Sequence, residues 1–187
     1  MRPFNYLTIV LLCVTLGVPI SGAAKSLSGA YLAARQADAE RDYRISEQYY
    51  TRALRQDPNN PALMEYLIMA HISLGQFAAA SPVAQRLDAQ QVDSQLVNMM
   101  QIATGAAQGQ YDDILLRIDQ GKGIGALIDS LLVAWAITGQ GKMSDALAAF
   151  DSVAEKQGVE AFARYHKALA LAHAGDFESA VADVRRQ

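Results

Sequence analysis

The sequence predicts an all-α fold, an α-α superhelix or solenoid of about five helical hairpins, the last of them incomplete. Three observations predict it. The apolar residues are rich in alanine, which favours helices. A short turn motif recurs at a nearly constant interval, and small residues recur at fixed distances on both sides of it. Together they indicate paired helices that pack closely and stack along the chain.

The composition limits the classes of function. Of the 187 residues, 51% are apolar and 19% are charged, which is not the composition of a disordered chain. The 16 Lys and Arg against 19 Asp and Glu give a net charge of -3. Because this balance offers no general attraction for a polyanion, no nucleic-acid partner is expected.

Residues 1–24 are predicted to be an export signal. Arg2 supplies a positive start, and the apolar run over residues 7–20 is shorter than the roughly 20 residues that span a bilayer. Small residues follow, so cleavage is expected after Ala23 or Ala24, which would also remove the single cysteine. We expect an exported, periplasmic protein. The alternative is an uncleaved leader that anchors the protein to a membrane.

A triplet of a glycine, a polar residue and a large apolar residue recurs along the remaining chain. Its copies begin at Gly75, Gly109, Gly141 and Gly175, and Arg41-Asp42-Tyr43 fits as a copy that lacks the glycine. Successive copies are separated by 34, 34, 32 and 34 residues. Helical sequence lies on both sides of each triplet, so each is the expected turn of a hairpin. A glycine there can adopt a positive φ at the end of the first helix.

Mostly small residues flank each turn where the two helices would cross. The residues seven positions before the glycine are Ala34, Ile68, Ile102, Ala134 and Ala168. The residues five positions after it are Ser46, Ala80, Ile114, Ala146 and Ala180. Nine residues after it come the apolar Tyr50, Ala84, Ile118, Phe150 and Val184. Two facing helices with small residues at the crossing can pack tightly.

This pattern resembles the tetratricopeptide repeat, whose unit of about 34 residues is a helix-turn-helix. The best match runs from Asp42 to Pro61, where Tyr43, Ser46, Tyr50 and Ala53 form the family's aromatic, small, aromatic, small series. The family's closing Asp-Pro-x-Asn follows at residues 57–60. The resemblance implies repeats near residues 27–60, 61–94, 95–126, 127–160 and 161–187, so that residues 25–187 form one repeat domain.

The third and last repeats depart from the family pattern. Ile114 replaces a small residue in the third, and the glycine-rich segment 121–125 is expected to shorten or break its second helix. The last unit stops at Gln187, with Val181 and Val184 directed at a missing neighbour. We therefore expect more repeats to follow. Self-association through the last repeat is another reading of the same exposed face.

No residue pattern predicts catalysis, a cofactor or a metal site. Segment 121–125 has neither the preceding strand nor the Gly-Lys-Ser/Thr ending of a phosphate loop. His71, His166 and His173 lack zinc-ligand spacing and are interpreted as polar tips on packed helices. The adjacent Asp112-Asp113 are assigned to capping the second helix of the third repeat.

The resemblance also implies where a partner would bind. In the family, inward-facing side chains lie about ten, six and three residues before the turn glycine, on the first helix of each repeat. The candidate partner-binding residues are Tyr31, Arg35, Glu65, Met69, Ile72, Met99, Leu131, Trp135, Tyr165, Leu169 and His173. Trp135 is expected to meet solvent unless a partner covers it. The alternative is that Trp135 and Met69 pack between neighbouring helices.

The sequence thus favours a non-enzymatic scaffold or adaptor in a bacterial periplasm or cell envelope, which binds a protein or peptide in an apolar concave groove. Family members that clamp a carboxylate place Lys and Asn on this wall, whereas here Arg35 stands without such neighbours. The alternative function is a regulatory or substrate-handling N-terminal part of an envelope enzyme complex, with catalysis elsewhere.

Overall fold

The computed structural model describes residues 26–185, which form ten α-helices and no strand within that range. The predicted leader lies outside the described residues. The helices are α1 (Leu27–Ala39), α2 (Tyr43–Gln56), α3 (Pro61–Ser73), α4 (Phe77–Asp88), α5 (Gln95–Ala107), α6 (Tyr111–Asp119), α7 (Ala126–Gly139), α8 (Met143–Ala154), α9 (Glu160–His173) and α10 (Phe177–Val184).

The chain divides into two compact units, one that ends at Gly75 and one that begins at Gln76. In the first unit α1 and α2 form a hairpin, and α3 packs against α2. In the second unit the hairpins are α5–α6, α7–α8 and α9–α10, and the first helix of each also packs on the helix before it. The predicted fold of successive helical hairpins is confirmed.

The predicted turns lie between the helices of each pair. Gly75, Gly109, Gly141 and Gly175 have φ angles of 70°, 69°, 76° and 88°, the left-handed conformation that an L side chain disfavours. Arg41 takes the same conformation without glycine, with a φ of 59°. At Gly175 the next residue, Asp176, donates its backbone N–H to the carbonyl of Leu171 at 3.0 Å. This bond satisfies a carbonyl that the end of α9 leaves open.

The small residues at the helix crossings are buried. Ala34 in α1 and Ser46 in α2 have no exposed surface, and neither do Ala134 in α7 and Ala146 in α8. Tyr50, nine residues after the turn position, is also fully buried. Burial at the positions on both sides of the turn confirms the predicted register of the hairpins.

The third repeat has a short second helix, as the sequence predicts. Helix α6 has 9 residues, whereas α8, which follows it in the next repeat, has 12. The chain after α6 passes through Gly121 at a φ of 75°. Two backbone N–H groups of the loop, those of Ile124 and Gly125, donate to the carboxylate of Asp129 at 2.6 and 3.2 Å. The Asp129 carboxylate therefore already accepts the backbone hydrogen bonds that a bound phosphate would need.

The predicted capping role of Asp112 and Asp113 is wrong in its detail. Both residues lie in the first turn of α6, where a negative charge complements the positive end of the helix. The N-cap residue is Gln110, however, and its side chain makes no capping hydrogen bond. Asp112 instead accepts a hydrogen bond from the side-chain amide of Gln140, which lies at the C-terminal end of α7, at 2.6 Å. The two acidic residues act through charge rather than as caps.

We predict that Ala146→Leu destabilises the protein, because the added side chain has no space at a fully buried helix crossing. Overpacking of this kind costs about 1 to 3 kcal/mol in the free energy of unfolding. Urea denaturation followed by circular dichroism measures the loss. Ala148→Leu, an exposed position in the same helix, is the matched control and should stay within about 0.5 kcal/mol of the unchanged protein. Equal stability of the two variants would contradict the helix pairing.

Candidate protein-binding surface

The predicted partner-binding residues all lie on the first helices of the repeats. They are Tyr31 and Arg35 on α1; Glu65, Met69 and Ile72 on α3; Met99 on α5; Leu131 and Trp135 on α7; and Tyr165, Leu169 and His173 on α9. The first two helices of this set belong to the first unit and the other three to the second. Within each unit the structure separates residues that are open to solvent from residues that a neighbouring helix covers.

Four large apolar residues of the predicted set are open. The exposed fractions are 49% for Met69, 47% for Met99, 52% for Tyr165 and 41% for Leu169. Arg35 and His173 are also exposed, whereas Tyr31, Glu65 and Ile72 are half-buried. Exposed apolar side chains of this size, placed at equivalent positions of first helices, are available for contact with another protein.

Leu131 and Trp135 are not open, contrary to the expectation from the sequence. Leu131 is buried in a cluster with Phe150 of α8 and Ala170 of α9. The Trp135 ring is half-buried and meets the Phe150 ring edge-on, with ring centroids 5.6 Å apart. Its indole N–H donates to Nδ1 of His166 on α9 at 3.1 Å. Helix α9 therefore covers both residues, and they contribute to the packing between repeats instead of to an open surface.

The first unit carries an aromatic cluster that includes a residue missed at the sequence level. Tyr66 of α3 stacks on Tyr50 of α2 with ring centroids 5.2 Å apart, and its centroid lies 6.1 Å from that of Tyr31. The Arg35 guanidinium lies 5.0 Å from the centroid of the Tyr66 ring, within cation–π distance. Tyr66 lies nine residues before its turn glycine, outside the ten, six and three positions of the family pattern.

Two charged side chains, Asp38 and Arg35, lie next to the Tyr50 ring of this cluster. The Tyr50 hydroxyl donates to the carboxylate of Asp38. Burial of the ring and this carboxylate raise the pKa of Tyr50, so the phenol stays neutral. Arg35 lies 3.9 Å from the same carboxylate. A cavity of about 440 Å³ adjoins the cluster and is lined in part by Tyr31, Leu32 and Tyr66. The exposed Arg35 side chain therefore lies beside a mainly aromatic and aliphatic surface.

The second unit contains a group of hydrogen-bonded polar residues that the sequence pattern also did not predict. Arg117 of α6 donates through Nη1 and Nη2 to the carboxylate of Asp88, at 3.0 and 3.2 Å, and through Nη2 to the amide oxygen of Asn98 at 3.1 Å. The Arg117 guanidinium lowers the pKa of Asp88. These residues lie on three different helices, 29 and 19 residues apart, so no local sequence pattern marks them. These hydrogen bonds join α4, α5 and α6, and none of the three residues belongs to the predicted partner-binding set.

Between residues 26 and 185 no three potential metal-ligating side chains come together. None of the ten described helices combines the length and apolar character of a membrane-spanning segment.

Comparison with protein families identifies the repeats. Two tetratricopeptide repeat models match the chain, one over residues 22–101 and the other over residues 138–186. The two matches together cover more than half of the chain and include every predicted turn except the one at Gly109. The chain belongs to the tetratricopeptide repeat family. No curated protein shows a significant match to it.

Solved structures share its fold at low sequence identity. MamA matches with a TM-score of 0.67 and 12% identity, over 87% of this chain and 90% of that chain. MamA 41-end from Desulfovibrio magneticus RS-1 matches with a TM-score of 0.67 and 13% identity, over 86% and 92%. YrrB, described as a TPR protein with an unusual peptide-binding site, matches with a TM-score of 0.65 and 13% identity, over 88% and 86%. At these identities the likeness shows the fold alone.

We predict that acidification weakens the protein through His166. Burial lowers the pKa of this histidine below its ordinary value of 6.5, and its Nδ1 must be unprotonated to accept the Trp135 N–H. Below pH of about 6.5 the unfolded chain binds a proton that the folded protein resists, so the free energy of unfolding falls as the pH falls. Denaturation at pH 7.5 and then 5.5 would measure this loss.

The matched variants isolate this histidine from the other titrating groups. His166→Gln keeps a hydrogen-bond acceptor but cannot titrate, so its stability should fall less than that of the unchanged protein over the same pH interval. His173→Gln, at an exposed position on the same helix, should retain the full pH dependence. An identical pH dependence in all three proteins would contradict the assignment to His166.

Proposed function

We propose that this tetratricopeptide repeat protein is a non-enzymatic scaffold, which binds a protein or peptide partner through the first helices of its repeats. The observation that carries the proposal is the exposure of Met69, Met99, Tyr165 and Leu169 at positions that the family pattern assigns to the inner wall. Burial of each of these side chains in a complex removes apolar surface from water and stabilises the complex.

The chemistry of these side chains suits a peptide or a helix with an apolar face. Met69 and Met99 are flexible and polarizable, and such side chains adapt to the shape of a partner. Tyr165 offers a rigid ring with a polar tip, a combination that is enriched at protein interfaces. In the first unit Arg35 adds a cation beside the Tyr66 ring, which suits a carboxylate next to an apolar group of the partner.

The comparisons support the class of function and not its details. Tetratricopeptide repeat proteins are generally interaction scaffolds, and YrrB, whose fold this chain shares, is described as having a peptide-binding site. The surface proposed for this protein depends on its own exposed residues. Leu131 and Trp135 pack between repeats. The proposed surface therefore consists of the other nine residues of the predicted set, and we call it the first-helix surface.

We predict that Met99→Asp reduces binding of the partner by at least about tenfold, because a carboxylate at a buried apolar contact loses roughly 1.4 kcal/mol or more. The partner is captured from cell-envelope extract on the immobilised protein, identified by quantitative mass spectrometry and then titrated in purified form. Leu116→Asp is the matched control, since Leu116 is comparably exposed, at 55%, but lies on the second helix α6. Equal losses in the two variants would reject the first-helix surface.

The proposed place of action is the periplasm, with the leader removed after Ala23 or Ala24. The support is the sequence of the leader alone: a positive start, a short apolar run and small residues at its end. We predict that the protein released by osmotic shock begins at Ala24 or Lys25 when its N-terminus is sequenced. Recovery of the intact chain, beginning at Met1, in the membrane fraction would favour the anchored alternative.

A further inference from the structure

A row of positive charges lies along the solvent-exposed side of α2. Arg44, Arg52 and Arg55 are exposed, and so is Gln48 between them. Because an α-helix turns by about 100° per residue, these four side chains fall within an arc of about 80°. From Arg44 to Arg55 the row extends about 16 Å along the helix axis. We call these four residues the basic face.

The carboxylates inside α2 and at its ends do not neutralise the basic face. Glu47, the one carboxylate inside the helix, lies outside the arc, is half-buried and accepts a hydrogen bond from a hydroxyl of the same helix. Asp42 caps the helix through a backbone N–H, and Asp57 accepts a hydrogen bond from a side-chain amide. No ion pair joins Arg44 or Arg55 to another residue between 26 and 185. Within this range both guanidinium groups remain available to a ligand.

The basic face belongs to the first repeat and not to the repeat pattern. The position of Arg44 is occupied in the later repeats by Ala78, Asp112, Ser144 and Glu178. The position of Arg55 is occupied in the next three repeats by Ala89, Gly123 and Glu155. A surface that serves only solubility usually mixes charges of both signs. The single sign on α2 indicates an anionic ligand, and the overall charge of -3 averages over this local concentration of positive charge.

An aromatic and an aliphatic side chain border the basic face on one side. The Tyr49 ring is half-buried, and the Arg52 guanidinium lies 5.7 Å from the centroid of this ring. Ile45, one turn earlier, is 36% exposed. Tyrosine is enriched at the level of lipid headgroups, and aliphatic side chains of surface-bound helices enter the boundary with the acyl chains. Arginines bordered by such residues are typical of a helix that binds a membrane surface.

The form of the basic face favours a bilayer over an acidic protein. A protein interface gains most of its affinity from a few aromatic or apolar anchors that fill pockets of the partner. The arc of the basic face holds only long polar side chains on a convex helix. A bilayer that contains anionic lipids is flat and presents many phosphates. Three guanidinium groups spread over about 16 Å can therefore each bind a different phosphate through two parallel hydrogen bonds.

We propose that the basic face of α2 attaches the protein to the surface of a bilayer that contains anionic phospholipids. The attachment is peripheral: the arginines bind the phosphates, and Ile45 and Tyr49 add contacts at the level of the headgroups. It goes beyond the proposed scaffold function and does not depend on it. In the first unit the first-helix surface lies on α1 and α3, so a protein partner and a membrane would contact different helices.

Flotation with phospholipid vesicles tests the proposal. The protein is purified with the N-terminus that it has in cells, and every variant shares this N-terminus, so any contribution of the leader is equal in all of them. The vesicles consist either of phosphatidylcholine or of an equal mixture of phosphatidylcholine and phosphatidylglycerol. Each arginine at an anionic surface raises binding about fivefold, so we expect about hundredfold stronger binding to the mixed vesicles. The difference should disappear in about 0.5 M sodium chloride, which screens exposed charges.

Charge variants locate the contact on α2. Arg44→Glu combined with Arg55→Glu should reduce binding to the mixed vesicles by at least about twentyfold, whereas Arg44→Lys combined with Arg55→Lys should stay within about threefold of the unchanged protein. Lys142→Glu combined with Arg185→Glu is the matched control. It changes the net charge by the same amount at exposed positions of the second unit and should bind like the unchanged protein. Met99→Asp should also bind normally, so a failure here differs from a failure of the first-helix surface.

Any of four results would overturn the proposal. The first is equal binding to both kinds of vesicle, and the second is an equal loss of binding in the glutamate pair and in either the lysine pair or the control pair. The third is displacement by sodium phosphate well beyond that by sodium chloride of the same ionic strength, which would assign the face to a free phosphate ion. The fourth is tighter binding to poly-L-glutamate than to the mixed vesicles, which would assign it to an acidic protein. All four substituted side chains are exposed, so the variants should keep the helical circular dichroism of the unchanged protein.

Discussion

The close approach of two helices through small side chains is the constraint on which the rest of the structure depends. Helix axes come within 8 to 10 Å only if the residues at the crossing leave room. Ala34 and Ser46 leave this room between α1 and α2, and Ala134 and Ala146 leave it between α7 and α8; none of the four has exposed surface. Such residues bury little apolar area, so a hairpin built on them gains much of its stability by covering its outer face with the next repeat. Tight pairing within a repeat therefore requires stacking between repeats.

Stacking decides which residues of the first helices remain available to a partner. In both units, a residue nine positions before one turn glycine lies against the residue six positions before the previous turn. In the first unit the Tyr66 ring lies under Arg35, and in the second His166 accepts the N–H of Trp135. The same sequence position is thus covered in one repeat and open in another, as the contrast between Trp135 and Leu169 shows. A partner can use only the positions that the next repeat leaves uncovered.

The sequence was sufficient to predict what the repeat period determines, and insufficient for what lies between repeats. The turns at Gly75 to Gly175, the buried Ala146 and the shortened α6 follow from local spacing and glycine chemistry, because each involves residues close together along the chain. The covering of Trp135 involves His166, 31 residues away, and depends on how one hairpin is rotated on the next. Periodicity identifies the face of a helix, but it does not say how far a neighbour extends over that face.

Polar pairs between repeats give the stack an order that its apolar contacts cannot give. Alanine faces are interchangeable, since any repeat could lie on any other through similar small residues. The pairs differ: Arg117 binds Asp88 across one junction, and Lys167 binds Asp151 across another. Exchange of two repeats would leave a partly buried Arg117 or Lys167 without its carboxylate, at a cost larger than the modest gain from forming the pair. These ion pairs therefore contribute less to the stability of each junction than to the selection of the repeat that occupies it.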